Sequence, residues 1–170
     1  MPWTVVLLIL MQSGLSPLTW GDEPVKVTSK EGKFEIVFPK KPETQTREKA
    51  LIWMVEDGEK GIYFLSLKKH PVKIDATDKA DIRNRFDGGQ DSIVRMLRGK
   101  LLKSVDGTLD DKKTLCRDLD ISIPGKGIYR VRYVSTNEHF YQVMVGGSKD
   151  WVDAAPAVEF IKSFKVVEEK

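Results

Sequence analysis

KFEIVFPKKPET, residues 33–44, sets apolar side chains at Phe34, Ile36 and Phe38 and then meets Pro39 and Pro42. A period of two puts the three apolar side chains on one face of an extended strand. Pro39 has no backbone donor, so strand pairing has to stop there. The stretch reads as an edge-of-domain strand carrying its own stop signal. Just upstream, Val25 to Thr28 alternates in the same way, with Lys30-Glu31-Gly32 between the two runs. That arrangement predicts a hairpin in which Gly32 supplies the left-handed turn position.

Downstream, the same logic finds a second hairpin. Ala50 to Glu56 and Ile62 to Lys68 flank the turn Asp57-Gly58-Glu59-Lys60-Gly61. Leu51, Trp53 and Val55 oppose Ile52 and Met54, and Ile62 and Phe64 oppose Tyr63, Leu65 and Leu67. Strands apolar on both faces belong inside a sheet that is covered on both sides. From Asp78 to about Arg98 the period changes, with Ile82, Phe86, Ile93 and Leu97 on one helical face. Thr77 or Asp78 is the expected cap and Gly99 the expected stop. Gly88-Gly89 predicts a bend or a break, because each glycine costs a helix about 1 kcal/mol. Four strands follow: Lys100 to Leu109, Thr114 to Ile123, Ile128 to Ser135 and Phe140 to Val145. A short helix, Pro156 to Ser163, closes the chain, with Phe160, Ile161 and Phe164 on its apolar side and Ala155 as a poor cap. Strands grouped between helices predict an α+β fold on an antiparallel sheet.

The chain has 170 residues, 31% charged and 41% hydrophobic, a composition that supports a folded core. Net charge is +3 with the signs mixed along the chain, which is no nucleic-acid footprint. Residues 3–11, WTVVLLILM, are too short a run to span a bilayer comfortably but match the apolar part of a secretory signal. Thr19-Trp20-Gly21 places small residues at the cut, so the expectation is a signal peptide over 1–21, cleavage after Gly21, and a single domain over 22–170. No Lys or Arg precedes the apolar run, which leaves an uncleaved anchor or a buried first strand as the alternatives. No cysteine stands near the cut to carry a lipid.

Chemistry-bearing residues are sparse. The single cysteine, Cys116, excludes an internal disulfide and a cysteine-based zinc site. Strand register puts it with Asp118 and Asp120 on the more polar face, where carboxylates disfavour a thiolate, so it is expected to be structural or incidental. His70, before Pro71, and His139, in a turn, are expected to be exposed loop histidines. Asp106, Asp110 and Asp111 lack calcium-loop spacing and read as a hairpin turn. Asp87-Gly88-Gly89-Gln90-Asp91 lacks the Lys-Ser/Thr of a phosphate loop. Arg83, Arg85, Arg95, Arg98, Lys100 and Lys103 surround the long helix and read as a solvated face, with an anionic-partner surface as the rival. Arg130 and Arg132 are expected to pair across the sheet with Asp118 and Asp120. No catalytic, cofactor-binding or metal-binding residue emerges.

KFEIVFPKKP, CRDL at 116–119, HFYQVMVGG at 139–147 and APAVEFIKSFKV at 155–166 occur in an order that resembles the PsbP-like superfamily. That superfamily includes the extrinsic photosystem II protein, a Ran-binding nuclear transport factor and exported bacterial proteins. The resemblance is closest to the exported uncharacterised bacterial members and covers roughly residues 33–166. It implies an α/β/α sandwich around an antiparallel sheet and no catalytic residues. Cys116 stands where a small, glycine-like residue is expected. The functional expectation is an exported (periplasmic or extracellular) non-enzymatic binding or accessory domain. Its partner would be an unknown protein or cell-envelope component, with no cofactor, no nucleic acid and no stable membrane insertion after signal cleavage. The alternatives are a small hydrolase-type enzyme whose site assembles only in three dimensions, or a basic surface that binds anionic lipid or nucleic acid.

Overall fold

The computed structural model describes residues 23–167. The expected signal peptide over 1–21, with its cut after Gly21, lies outside the described residues. In chain order the elements are β1 (Val25–Ser29), β2 (Phe34–Phe38), β3 (Glu43–Arg47), β4 (Ala50–Glu56), β5 (Gly61–Lys69), α1 (Lys79–Leu97), β6 (Lys100–Thr108), β7 (Leu115–Ile123), β8 (Gly127–Ser135), β9 (His139–Gly147), α2 (Lys149–Asp153), α3 (Ala155–Lys162) and β10 (Lys165–Val166). Seven strands form one antiparallel sheet in the order β3-β4-β5-β9-β8-β7-β6. β1, β2 and β10 form a second, smaller one. The expected α+β class is seen.

The large sheet separates two apolar clusters. On one face Ile82, Phe86 and Ile93 of α1 pack against Leu119, Ile121, Val131, Tyr133 and Met144. On the other, Phe34, Ile36 and Phe38 of β2 join Ala157, Phe160 and Ile161 of α3 over Tyr63, Leu65, Tyr141, Val143 and Val145. Helices therefore cover both faces, and the small sheet shares the second outer layer with α3. Phe160 and Phe164 are buried against β9 and β2, as the closing FIKSF segment predicts. β5 lies inside the sheet, with Tyr63, Leu65 and Leu67 toward the small sheet and Phe64 toward the α1 side, as its two-faced apolarity requires.

Several expectations change. The opening strand is not at an edge: β2 is the middle strand of the small sheet, flanked by β1 and β10. Its alternation is the same in either place, and β10 is a two-residue strand with no period of its own. The left-handed residue of the β1–β2 turn is Lys33, at φ 50°, not Gly32. Gly32 is needed for close approach, since a Cβ there would lie 2.7 Å from the Leu67 side chain. The long helix is neither split nor irregular at Asp87–Asp91. α1 runs unbroken for 19 residues, capped by the Asp78 carboxylate. Gly89 lets the Tyr133 ring lie against the helix, where its hydroxyl donates to the Gly89 carbonyl at 2.9 Å. β3, ETQTR, has no apolar period, and its turn uses Glu48 and Lys49 at positive φ in place of glycine, so no sequence signal marks that hairpin. Among the described residues, no helix is long and apolar enough to cross a membrane.

Candidate functional site

The two histidines lie near each other, since His139 pairs with Lys69, the neighbour of His70, across β5 and β9, while Cys116 is on β7. Cys116 is 4% exposed and belongs to the small-sheet cluster. It does share a strand face with Asp118 and Asp120. That face is buried in the small-sheet cluster at Cys116 and only partly covered at the aspartates, so the expected polar setting for the thiol is wrong. Burial, more than the carboxylates, pushes the thiol up to about 11, partly opposed by Arg132.

His139 is also not an exposed loop residue. It opens β9 and is 4% exposed, because odd-numbered β9 residues face the small sheet. Its ring lies 5.9 Å from that of Tyr141, and its Nδ1 has no hydrogen-bond partner among the described residues. Burial holds the imidazole below its ordinary value. His70 is half-buried just past β5. Its Nε2 lies 3.2 Å from the Ser135 hydroxyl, and its backbone N–H donates to the Glu138 carbonyl at 2.7 Å. Burial, with the Arg85 charge nearby, lowers its pKa also. Ser135 was not singled out from sequence. It shares its face with Phe140, on the α1 side of the sheet, away from Cys116.

Several of the arginines are structural. Arg132 grips Asp118 at 2.7 and 2.8 Å, and Arg130 grips Asp120 at 2.8 Å while reaching Asp153 at 3.0 Å. Both cross-strand pairs are as the register predicts. Arg117 is buried over the Phe86 ring, donating to Asp106 at 2.6 Å and to Asp87. The Asp106 to Asp111 stretch ends one strand and makes a turn. The Asp111 carboxylate accepts from the N–H groups of Lys113 and Thr114, each at 2.8 Å. Among the described residues, no group of three or more His, Cys, Asp or Glu side chains could hold a metal ion.

The larger cleft, of about 810 Å³, lies at one end of the main sheet. The β4–β5 turn, the β7–β8 turn, the end of β9 and the start of α2 enclose it. Register brings Gly61 opposite Gly147, and Gly146 opposite both Ile62 and Tyr129. These glycines make room for two rings. A Cβ at Gly146 would come within 2.6 Å of the Tyr129 ring, and one at Gly61 within 2.7 Å of Trp151. Trp151 is fixed by the edge of Tyr63 at 4.9 Å and by its indole N–H, which donates to Asp57 at 3.0 Å. Glu56, Glu59, Lys60 and Lys126 rim the cleft. Two rings, one of them fixed, with bare backbone and charges of both signs can hold a ligand. From the sequence, Gly146-Gly147 at the end of an alternating strand was the one available signal. A second cleft, of about 580 Å³, is lined by Lys33, Lys73, Lys113, Ser135 and Glu138 among others, and Glu138 is paired with Lys33 at 3.3 Å.

No family model matches the sequence, and no curated protein does. Among solved structures, the chain is similar to the solution structure of cyanobacterial PsbP (CyanoP) from Synechocystis sp. PCC 6803. The TM-score is 0.62 at 10% identity, over 84% of this chain and 92% of that one. A crystal structure from Bacteroides thetaiotaomicron matches with a TM-score of 0.45 at 15% identity, over 85% of this chain and 48% of that one. With helices on both faces of an antiparallel sheet and a likeness that spans nearly all of CyanoP, the chain has the PsbP-like fold.

Proposed function

We propose that the chain is an exported, non-enzymatic binding or accessory domain that presents its sheet-end cleft to a protein or cell-envelope component. The carrying observation is the cleft itself, where glycine backbone makes room for Tyr129 and Trp151 at the end of the main sheet. The signal-like segment over 1–21 supports export. The PsbP-like fold supports an accessory or binding role by analogy of fold. The test is a photo-crosslinking residue placed at Lys126 or Glu59 in cells that express the chain with its own N-terminus. The expected result is a chain beginning at Asp22 in the envelope fraction, with adducts from these two positions and not from Lys69. Intact Met1 in the cytoplasm overturns export, and equal adducts from Lys69 overturn the cleft.

A hydrolase reading rests on the 3.2 Å contact between His70 and Ser135. Against it, Ser135 is 2% exposed. The neighbouring Thr136 N–H, a candidate donor for an oxyanion, is already given to the His139 carbonyl at 2.9 Å. Fluorophosphonate labelling of the parent chain and not of Ser135→Ala would favour the enzyme.

A further inference from the structure

The nine residues from Arg95 to Lys103, RMLRGKLLK, contain four cations, four apolar side chains and no carboxylate. They form a corner. Arg98 takes left-handed backbone at φ 50° to end α1, the Gly99 N–H donates to the Val94 carbonyl at 3.0 Å, and β6 starts at once. Leu97 and Leu101 turn inward onto the α1-side cluster. Met96 and Leu102 turn outward, 71% and 54% exposed. The irregularity between Leu101 and Lys103 leaves Leu102 out of the β6–β7 register. β6 is the last strand of its sheet among the described residues.

Many surface lysines lie outside any ion pair among the described residues; the corner is set apart by having four such cations beside exposed apolar side chains. Arg83, Arg85, Arg117, Arg130 and Arg132 are each held by an aspartate. Arg95, Arg98, Lys100 and Lys103 enter no ion pair among the described residues. Asp120, opposite Lys103 across the strand pair, is taken by Arg130. Unpaired cations beside protruding apolar side chains match one kind of surface: an anionic bilayer, whose headgroups take the cations while the acyl boundary takes the apolar side chains. A nucleic acid would use the cations and leave Met96 and Leu102 without a partner.

We infer that the corner from Arg95 to Lys103 docks the domain peripherally on an anionic phospholipid membrane, with Met96 and Leu102 entering the interface. The inference rests on the reading of the chain as a binding domain and assigns it a second surface, distinct from the sheet-end cleft.

Co-sedimentation of the full chain with vesicles of phosphatidylglycerol and phosphatidylcholine, against phosphatidylcholine alone, tests it. Residues 1–21 are common to every variant, so differences between variants report on the corner. Each cation near an anionic surface contributes about fivefold in partitioning. Arg95→Gln, Arg98→Gln, Lys100→Gln and Lys103→Gln combined should therefore lower binding to the anionic vesicles by about a hundredfold or more. Met96→Ser with Leu102→Ser should also weaken it, with an unchanged melting curve. As an independent readout, a fluorophore on Leu102→Cys should shift to the blue with anionic vesicles only, because Cys116 is buried and escapes labelling. Equal binding by the parent and the cation variant, or no spectral shift, overturns the membrane surface. So does tighter binding to an oligonucleotide that is indifferent to Met96→Ser and Leu102→Ser. Each of these outcomes leaves the crosslinking test of the cleft untouched, so the two readings fail separately.

Discussion

Phe164→Ala removes the side chain that ties the end of the chain to both layers beneath it. Phe164 is 3% exposed, stacked 6.1 Å from Phe34 of β2 and 5.2 Å from Tyr141 of β9. It stands between α3 and β10, so its loss loosens the closing helix and the third strand of the small sheet together. Truncating a packed Phe costs about 3–5 kcal/mol, transfer and cavity terms together. That is a large part of the roughly 5–15 kcal/mol that holds a domain folded. At about 2–4 °C per kcal/mol for a chain of this size, the melting midpoint should fall by roughly 6–20 °C. Lys165→Ala is the control: its side chain is exposed and its strand pairing is through backbone, so it should move stability by less than about 0.5 kcal/mol. Circular dichroism melts of the parent and the two variants, with urea titrations beside them, make the comparison. A Phe164→Ala midpoint within about 2 °C of the parent would refute the wedge and point to a docking role for this aromatic residue.

Other consequences are open to the same measurements. Cys116→Ser places a hydroxyl in an apolar cluster and should cost about 1–3 kcal/mol, more than Cys116→Ala; the reverse order would contradict the burial. Thiol alkylation of the native chain at pH 8 should be slow, because the thiol titrates at about 11. His70 and His139, the only histidines, both have folded pKa values depressed below the unfolded value of about 6.5. The stability they supply is complete above about pH 6.5 and is lost as pH falls through the folded values. The urea midpoint should drop between pH 7 and pH 5, and less so in His139→Phe; a flat parent profile would exclude the effect. Gly88→Ala, where the added methyl meets nothing within 4 Å, should stabilise by about 0.4–1 kcal/mol. Gly89→Ala should gain less or lose, because its Cβ would stand 3.3 Å from the Tyr133 ring. Equal gains at the two positions would show that Tyr133 does not constrain the helix there.

Much of the fold was legible because it rests on local period. β2, β7, β8 and β9 carry their alternation in plain view, β4 and β5 show the two-faced apolarity of inner strands, and α1 shows its Ile82, Phe86, Ile93 face. The Asp118–Arg132 and Asp120–Arg130 pairs also followed from register, since cross-strand partners are set once two strands and their turn are known. The cleft was hardly legible. Its glycines, Tyr129 and Trp151 come from four separate segments, and their purpose appears only when the ring planes and the sheet end are seen together.

The sequence by itself determined that this chain makes an antiparallel sheet with one long helix and one closing helix, because alternation and helical period are properties of neighbouring residues. It also determined that no disulfide closes the chain, since there is one cysteine. Tertiary structure alone decided which alternating strands share a sheet. FEIVF reads the same at an edge or in the centre, and the two residues of β10 made it central. Tertiary structure also decided burial along a single face. Cys116 and Asp118 point the same way from β7, and only the tertiary packing over Cys116 separates a buried thiol from a paired carboxylate. The same holds for His139, whose ring is enclosed by segments distant in sequence. Burial depends on what lies across the sheet, and a residue's neighbours in the chain carry no record of that.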